Sequence, residues 1–374
     1  MSKKRWRLKP KVKIVLILFI LIIISGVIFI YRKPIMYLYQ SKKTGYKYET
    51  IKLINKYDVY NKIKNHEYSL NFEKIINTNE FKDEYVNNYL DIEYRTSDYY
   101  FLNINKLLAL GYNSLDINTI YDVLNDEDIN IVLNNKYLED LVNILKLSYF
   151  KKGKLSRYIN YSKDNVMSYK DIVTYVNIGL DNEFYTNVIT VNNPEDISVL
   201  VNKYHVLENN YEPKDLEKIN DKYNKGTYNQ LRKVVKESFE SMCVAALKDD
   251  VKIYSGSAYR PYSYQASLYN RYVNTDGKAK ADTYAARAGY SEHQTGLAID
   301  IMNAKGEFLT STDIEFDWLI RNSYKYGFIL RYPNDKENIT GYMAEDWHFR
   351  YVGKGLAKVL FDGNITLDEY AARQ

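Results

Sequence analysis

Two short segments hold the residues best suited to chemistry, Ser291-Glu-His-Gln-Thr-Gly-Leu-Ala-Ile-Asp300 and Glu345-Asp-Trp-His-Phe-Arg-Tyr351. The chain has four histidines, and His293 and His348 fall in these segments while His66 and His205 sit in no motif. His293 and Asp300 are seven apart, with Gly296 between them and an apolar Leu-Ala-Ile run leading into the aspartate. This places His293 on a loop and Asp300 at or within a strand, close enough to converge on one ion. A carboxylate in an apolar strand is costly unless it is paired or bound to a cation. With His348 added, the set is two imidazoles and a carboxylate with a fourth position left for water, a variant of known catalytic zinc sets. We therefore expect His293, Asp300 and His348 to bind one zinc ion.

Glu345 precedes His348 by three residues, and odd spacing on one strand points side chains to opposite faces. Glu345 is thus expected in the loop before the strand, curling back toward the metal. There it could take a proton from water whose pKa such a metal lowers to about 7. The pattern is not the helical H-E-x-x-H of other zinc peptidases. Glu292 and Asp346 read as surface carboxylates or as partners of the ligands. Arg350 and Tyr351 read as braces of the strand, Trp318 and Trp347 as core, and His66 and His205 as surface residues. Cys243, the single cysteine, lies in an apolar helical stretch and reads as a buried, inert thiol.

The elements that must position these residues follow from periodicity. Leu231, Val234, Val235, Met242 and Ala246 mark an amphipathic helix over 229–248. Val251–Ser255 alternates like a strand, and turn residues Gly256 and Pro261 lead to a helix from about Ser263 to Val273. Leu297–Met302 reads as a buried strand, Ile314–Tyr326 as a helix and Trp347–Val352 as a further strand. Strands and helices mix without βαβ regularity, which predicts an α+β domain. Upstream, Ile104, Leu107 and Leu108, then Ile117, Ile120, Tyr121 and Leu124, then Leu138, Leu141, Val142 and Leu145 recur at helical spacing. Gly111 suits a helix end, and Asn113 or Ser114 the cap of the next helix. A strand-like patch is expected near Ile172–Val176. This stretch carries no chemical motif, and its tyrosines read as packing.

Residues Ile14 to Tyr31 form an uncharged run of 18, about enough to cross a hydrocarbon layer of roughly 30 Å. Seven basic residues from Lys3 to Lys13 precede it, and the positive-inside bias keeps that end in the cytoplasm. The run ends in Phe29-Ile30-Tyr31-Arg32 without a small-residue cleavage site, which favours a retained anchor over a signal peptide. Residues 1–33 hold nine of the basic side chains and no acid, leaving 43 basic against 47 acidic residues in the remainder. The formal net charge of +5 therefore sits at the membrane end, and the mildly acidic body argues against nucleic acid as a partner. The expected organisation is a basic cytoplasmic tail (1–13), a transmembrane anchor (14–31), a mostly helical spacer or wall-facing module (32–195) and a catalytic domain (196–374).

Four segments together carry a resemblance to a known family. They are Ser255-Gly-Ser-Ala-Tyr-Arg-Pro-Tyr-Ser-Tyr-Gln265, Ser291 to Asp300, Tyr326-Gly-Phe-Ile-Leu-Arg-Tyr-Pro333 and Glu345-Asp-Trp-His-Phe-Arg-Tyr-Val-Gly353. In order and content they resemble the VanY-type D-alanyl-D-alanine carboxypeptidases, of the zinc peptidase superfamily that includes lysostaphin-type and VanX-type enzymes. The resemblance covers about 200–374. It implies His293, Asp300 and His348 as zinc ligands and Glu345 as catalytic base. It implies Arg260 as the group that polarises the scissile carbonyl or holds the terminal carboxylate, and Gln265 and Ser291 as contacts to the C-terminal end of the peptide. A guanidinium suits a free carboxylate because it can offer two parallel hydrogen bonds.

Two positions depart from the family pattern. Asp346 stands where a proline is usual, and Ala288-Gly289-Tyr290 where Pro-Gly is common, which should loosen both loops. The implied activity is removal of the C-terminal D-alanine from peptidoglycan stem peptides by an outward-facing domain, with an antiparallel sheet flanked by helices. The alternatives are an L,D-carboxypeptidase or endopeptidase of the same superfamily, or an inactive wall-binding or regulatory module.

Overall fold

The computed structural model describes residues 9–374, so residues 1–8 of the expected basic tail lie outside the described residues. The chain divides into two compact units, one ending at Leu145 and one spanning Lys146–Gln374.

The first unit is helical. Its opening helix, Pro10–Thr44, has 35 residues and an apolar window of mean hydropathy 3.3. At 1.5 Å per residue it is about 50 Å long, and it is long and apolar enough to cross a membrane. Lys42 and Lys43 fall in its last turn, and Gly45 closes it at φ 80°, where a side chain would be strained. The helices that follow are four to eleven residues long and bury Ile51, Ile54, Phe72, Tyr89, Ile104, Ile117 and Ile120. As expected, Gly111 closes Tyr100–Leu110, and Asn113 caps Ser114–Val123 in a reciprocal capping box with Asp116.

The second unit is α+β. Helices Leu155–Asp164 and Tyr169–Ile178, expected within the spacer, lie in this unit. Asn177 Nδ2 donates to the carbonyl of Ala372 at 3.1 Å, and Arg373 Nε donates to Thr174 Oγ1 at 3.1 Å. The strand expected at Ile172–Val176 is helical. Ser168 accepts from the Asp171 amide to cap the helix, Ile172, Val173 and Val176 are buried, and Gly179 ends it at φ 108°. A cap, a stop and a buried face outweigh the weak strand preference of a β-branched run.

Strands β1 (Ile189–Thr190) and β2 (His205–Val206) pair in parallel, and β3 (Leu216–Lys218) and β4 (Gln230–Arg232) pair antiparallel. The start of the expected helix at 229 is therefore β4, and the helix runs Lys233–Lys248. The main sheet comprises β5 (Tyr254–Ser257), β6 (Ala298–Met302), β7 (Phe328–Leu330) and β8 (His348–Tyr351). Its order is β5-β6-β8-β7, antiparallel throughout. Alternation divides each strand between two faces. Ile299, Ile301, Phe349 and Tyr351 pack into one core with Val235, Phe239, Met242, Cys243 and Ala246 of the Lys233–Lys248 helix. Each large apolar side chain buried there contributes about 1.5–3 kcal/mol, which fixes the register. The alternate positions, Asp300, His348 and Arg350, project from the opposite face.

Candidate metal centre and cleft

The register of β6 against β8 sets Asp300 directly across from His348, and Ala298 across from Arg350. Directly opposed side chains on one face lie within reach of each other. His293 arrives from a 3-10 turn, Glu292–Thr295, that closes at Gly296 and leads into β6. Its ring and main chain are both held by the segment after β5. His293 Nδ1 lies 2.7 Å from the Ala258 carbonyl, and the Arg260 amide donates to the His293 carbonyl at 3.2 Å. A carbonyl only accepts, so the proton of the neutral ring sits on Nδ1 and Nε2 keeps its lone pair. That nitrogen lies 3.3 Å from Asp300 Oδ1, and His348 Nδ1 lies 3.3 Å from the same oxygen.

One ligand atom from each of His293, Asp300 and His348 falls within 4.8 Å of the others, and all three residues are buried. His293 Nε2 and Asp300 Oδ1 are buried without a hydrogen-bond partner. Orphaned lone pairs that converge are costly in a protein interior and fit a cation. Burial, and after it the Arg260 charge, lowers the His293 pKa to about 4, so its lone pair is free at neutral pH. His348 goes the other way. Burial opposes its charge, but Asp300, Glu292 and Glu345 outweigh that and raise its pKa well above the usual value. Asp300 is held well below the carboxylate range, because His293, His348 and Arg260 overcome its burial.

The remaining expected residues lie around the same cleft, of about 600 Å³, lined by Arg260, Gln265, Ser291 and Glu345 beside His293, Asp300 and His348. Glu345 stands in the loop before β8, with Oε2 3.3 Å from His348 Nδ1, and its amide donates to the Tyr332 carbonyl at 3.0 Å. Burial raises its pKa, against the opposing pull of His348. Arg260 reaches within 3.8 Å of Asp300 Oδ2, and its Nε is buried without a partner. Gln265 donates through Nε2 to the Ala286 carbonyl at 2.7 Å and leaves Oε1 unpartnered. Ser291 is buried at the cleft wall.

The family model for VanY, D-alanyl-D-alanine carboxypeptidase, matches residues 228–354. The Bacillus subtilis protein YodJ is 41% identical over 195 residues, covering 48% of this chain and 69% of YodJ. The chain belongs to the VanY D-alanyl-D-alanine carboxypeptidase family. A D-alanyl-D-alanine carboxypeptidase of Enterococcus faecalis is 41% identical over 135 residues, 34% of this chain and about half (50%) of the length of that relative. The solved LdcB LD-carboxypeptidase is 39% identical with a TM-score of 0.47, covering 50% of this chain and 91% of that one.

Behind His293, Asp300 and His348, this VanY-family domain carries a buried ionic network. Glu292 is fully buried, which removes the surface reading of that residue, and it faces His348. Its Oε2 lies 3.6 Å from His348 Nε2, while Oε1 accepts from Arg331 Nε at 2.7 Å and from Arg350 Nη1 at 2.8 Å. The two guanidinium groups, working against burial, hold Glu292 far below the usual carboxylate range. Arg331 Nη1 also donates to Asp368 Oδ2 at 2.7 Å, which joins the C-terminal helix Leu367–Ala372 to the network. Arg350 braces the strand as expected, donating to the carbonyls of Ile197 (3.1 Å) and Val199 (2.7 Å). Arg331 received no role from the sequence, although an arginine inside the apolar Phe-Ile-Leu-Arg-Tyr segment needs a buried partner.

The loops that depart from the family's prolines have other restraints. Asp346 Oδ2 accepts from the Ser311 amide at 2.7 Å. The Leu207 amide donates to the Gly289 carbonyl at 2.8 Å, and Gly289 itself has φ 85°. His205, expected at the surface, is half-buried, with Nδ1 2.9 Å from Asn202 Oδ1. His66 is exposed. Cys243 is buried in the core, and burial pushes its thiol pKa up.

Proposed function

We propose that this chain is a zinc-dependent D-alanyl-D-alanine carboxypeptidase that removes the C-terminal D-alanine from peptidoglycan stem peptides. The reading is carried by one observation: three converging ligand atoms with Glu345 and Arg260 on the same cleft wall. Membership of a carboxypeptidase family supports the substrate class. His293, Asp300 and His348 would hold the zinc ion, and the chemistry supplied on binding is Lewis acidity toward water and the scissile carbonyl.

The protein residues have separable tasks. Glu345 takes a proton from the attacking water as its oxygen bonds to the carbonyl carbon. It then delivers that proton to the amide nitrogen as the C–N bond breaks, so that D-alanine leaves as the amine. A raised pKa suits a group that must both accept and release a proton near neutrality. Arg260 donates to the terminal carboxylate of the substrate or to the oxygen on which charge develops. Gln265 and Ser291 orient the terminal residue at the cleft wall. The Pro10–Thr44 helix anchors the chain with its N-terminus in the cytoplasm, which sets the catalytic unit beside the wall.

The test is digestion of purified pentapeptide and tetrapeptide stems, with products weighed with and without chelator. Release of D-alanine from the pentapeptide alone, abolished by chelation and restored by zinc, is expected. Release only from the tetrapeptide would overturn the D,D assignment in favour of L,D cleavage, and activity that survives full metal removal would overturn the mechanism.

A further inference from the structure

A second cavity in the Lys146–Gln374 unit, of about 280 Å³, shares no lining residue with the catalytic cleft. Three cations, Lys151, Lys154 and Arg157, line it. The nearby carboxylates are already engaged. Arg157 takes both oxygens of Asp181, each at 2.6 Å. Asp368, at the cavity wall, accepts from Asn202 Nδ2 and Arg331 Nη1, each at 2.7 Å. Lys154 is left with a single long contact, 3.4 Å to Asn177 Oδ1, and among the described residues neither lysine has an ion-pair partner. Burial together with Arg157 and Lys151 pulls the Lys154 pKa down to about 8, as expected for clustered ammonium groups short of a counter-charge.

We infer that this cavity binds a phosphate monoester group. Two lysines without an ion-pair partner that line one concave space ask for an anion of charge near −2. A phosphate monoester carries about −1.5 to −2 at neutral pH, and one carboxylate does not. Lysine binds phosphate as a point charge without the planar geometry that arginine imposes. The cavity lies outside residues 228–354 that match the family model, and the inference does not rest on the peptidase reading.

The test uses the full chain in detergent, titrated calorimetrically with inorganic phosphate and with glycerol 3-phosphate, and with acetate as the monoanionic control. Saturable phosphate binding that weakens with salt is expected, with acetate much weaker. The double variant K151M/K154M should bind about a hundredfold more weakly, roughly tenfold for each charged contact removed. The double Lys→Arg variant should retain binding, and circular dichroism checks the fold of each. Repeating the glycerol 3-phosphate titration in bilayers with and without phosphatidic acid separates the sources. Weakening by that lipid assigns a lipid headgroup as the occupant, and no change assigns a soluble phosphate ester. Absence of saturable binding to both phosphate probes, or binding undiminished in a folded K151M/K154M protein, overturns the inference.

Discussion

Glu292 Oε2 lies 3.6 Å from His348 Nε2, on the side of the imidazole away from Asp300. At 3.6 Å this is an ion-pair contact longer than a hydrogen bond; a carboxylate behind a metal-binding histidine raises its basicity, and losing such a partner commonly costs about 10–100-fold in metal affinity. Glu292→Gln should therefore weaken zinc binding by roughly that factor in a chelator competition assay. It should also lower the thermal midpoint, because Arg331 and Arg350 lose their shared counter-charge, and breaking a buried pair costs on the order of 3–5 kcal/mol. Unchanged zinc affinity in the folded variant would show that Glu292 plays no part in setting His348 for the metal.

Metal binding should release protons. In the metal-free protein His348 keeps its proton well above the ordinary histidine range, whereas His293, lowered to about 4, is already neutral. A ligand must be deprotonated to bind, so zinc uptake near pH 7 displaces about one proton, and apparent affinity falls as pH falls. Calorimetry in buffers of different ionisation enthalpy gives the count. A value near two would mean that a second group, His293 or metal-bound water, also gives up a proton.

Glu345→Gln should leave zinc content intact and lower kcat by about 10²–10⁴-fold, the usual worth of a positioned acid–base group. Since burial raises the Glu345 pKa, the acid limb of kcat/KM in the native protein should lie above the ordinary glutamate value, with activity rising as pH climbs through it. If zinc is lost along with activity, Glu345 is a ligand.

Arg260→Lys separates two tasks for the guanidinium. If Arg260 holds the terminal carboxylate, KM should rise by roughly tenfold or more with a smaller change in kcat, because the two-pronged contact is gone. Preference for the free acid over a C-terminal amide should shrink in parallel. A fall confined to kcat would move Arg260 to the developing oxyanion.

The convergence of His293, Asp300 and His348 was legible because their surroundings made them anomalous: a carboxylate inside Leu-Ala-Ile-Asp, and half of the histidines of a histidine-poor chain beside acids. The position of Glu345 before the strand followed from odd spacing alone. Glu292 was less legible, because its burial depends on Arg331 and Arg350, 39 and 58 residues away, and local sequence does not report such partners. The helix at 169–178 was misread since β-branched residues look alike in a strand and on a buried helix face. Likewise β4 was absorbed into the helix that follows, since its pairing with β3 is set by tertiary contact.

The opposition of Asp300 and His348 across β6 and β8 has an evolutionary consequence. Between these strands lies a long excursion of loop, helix and strand, and none of its length enters the distance between the two donor groups. Insertions and deletions in its loops, away from β7, Arg331 and Glu345, should leave the two donor groups in place. A slip of one rung in the ladder would instead turn a donor into the core and bring an apolar side chain to the cleft. Indels among relatives should therefore collect in those loops and spare the paired strands, so that the ladder sets the reading frame of Asp300 and His348.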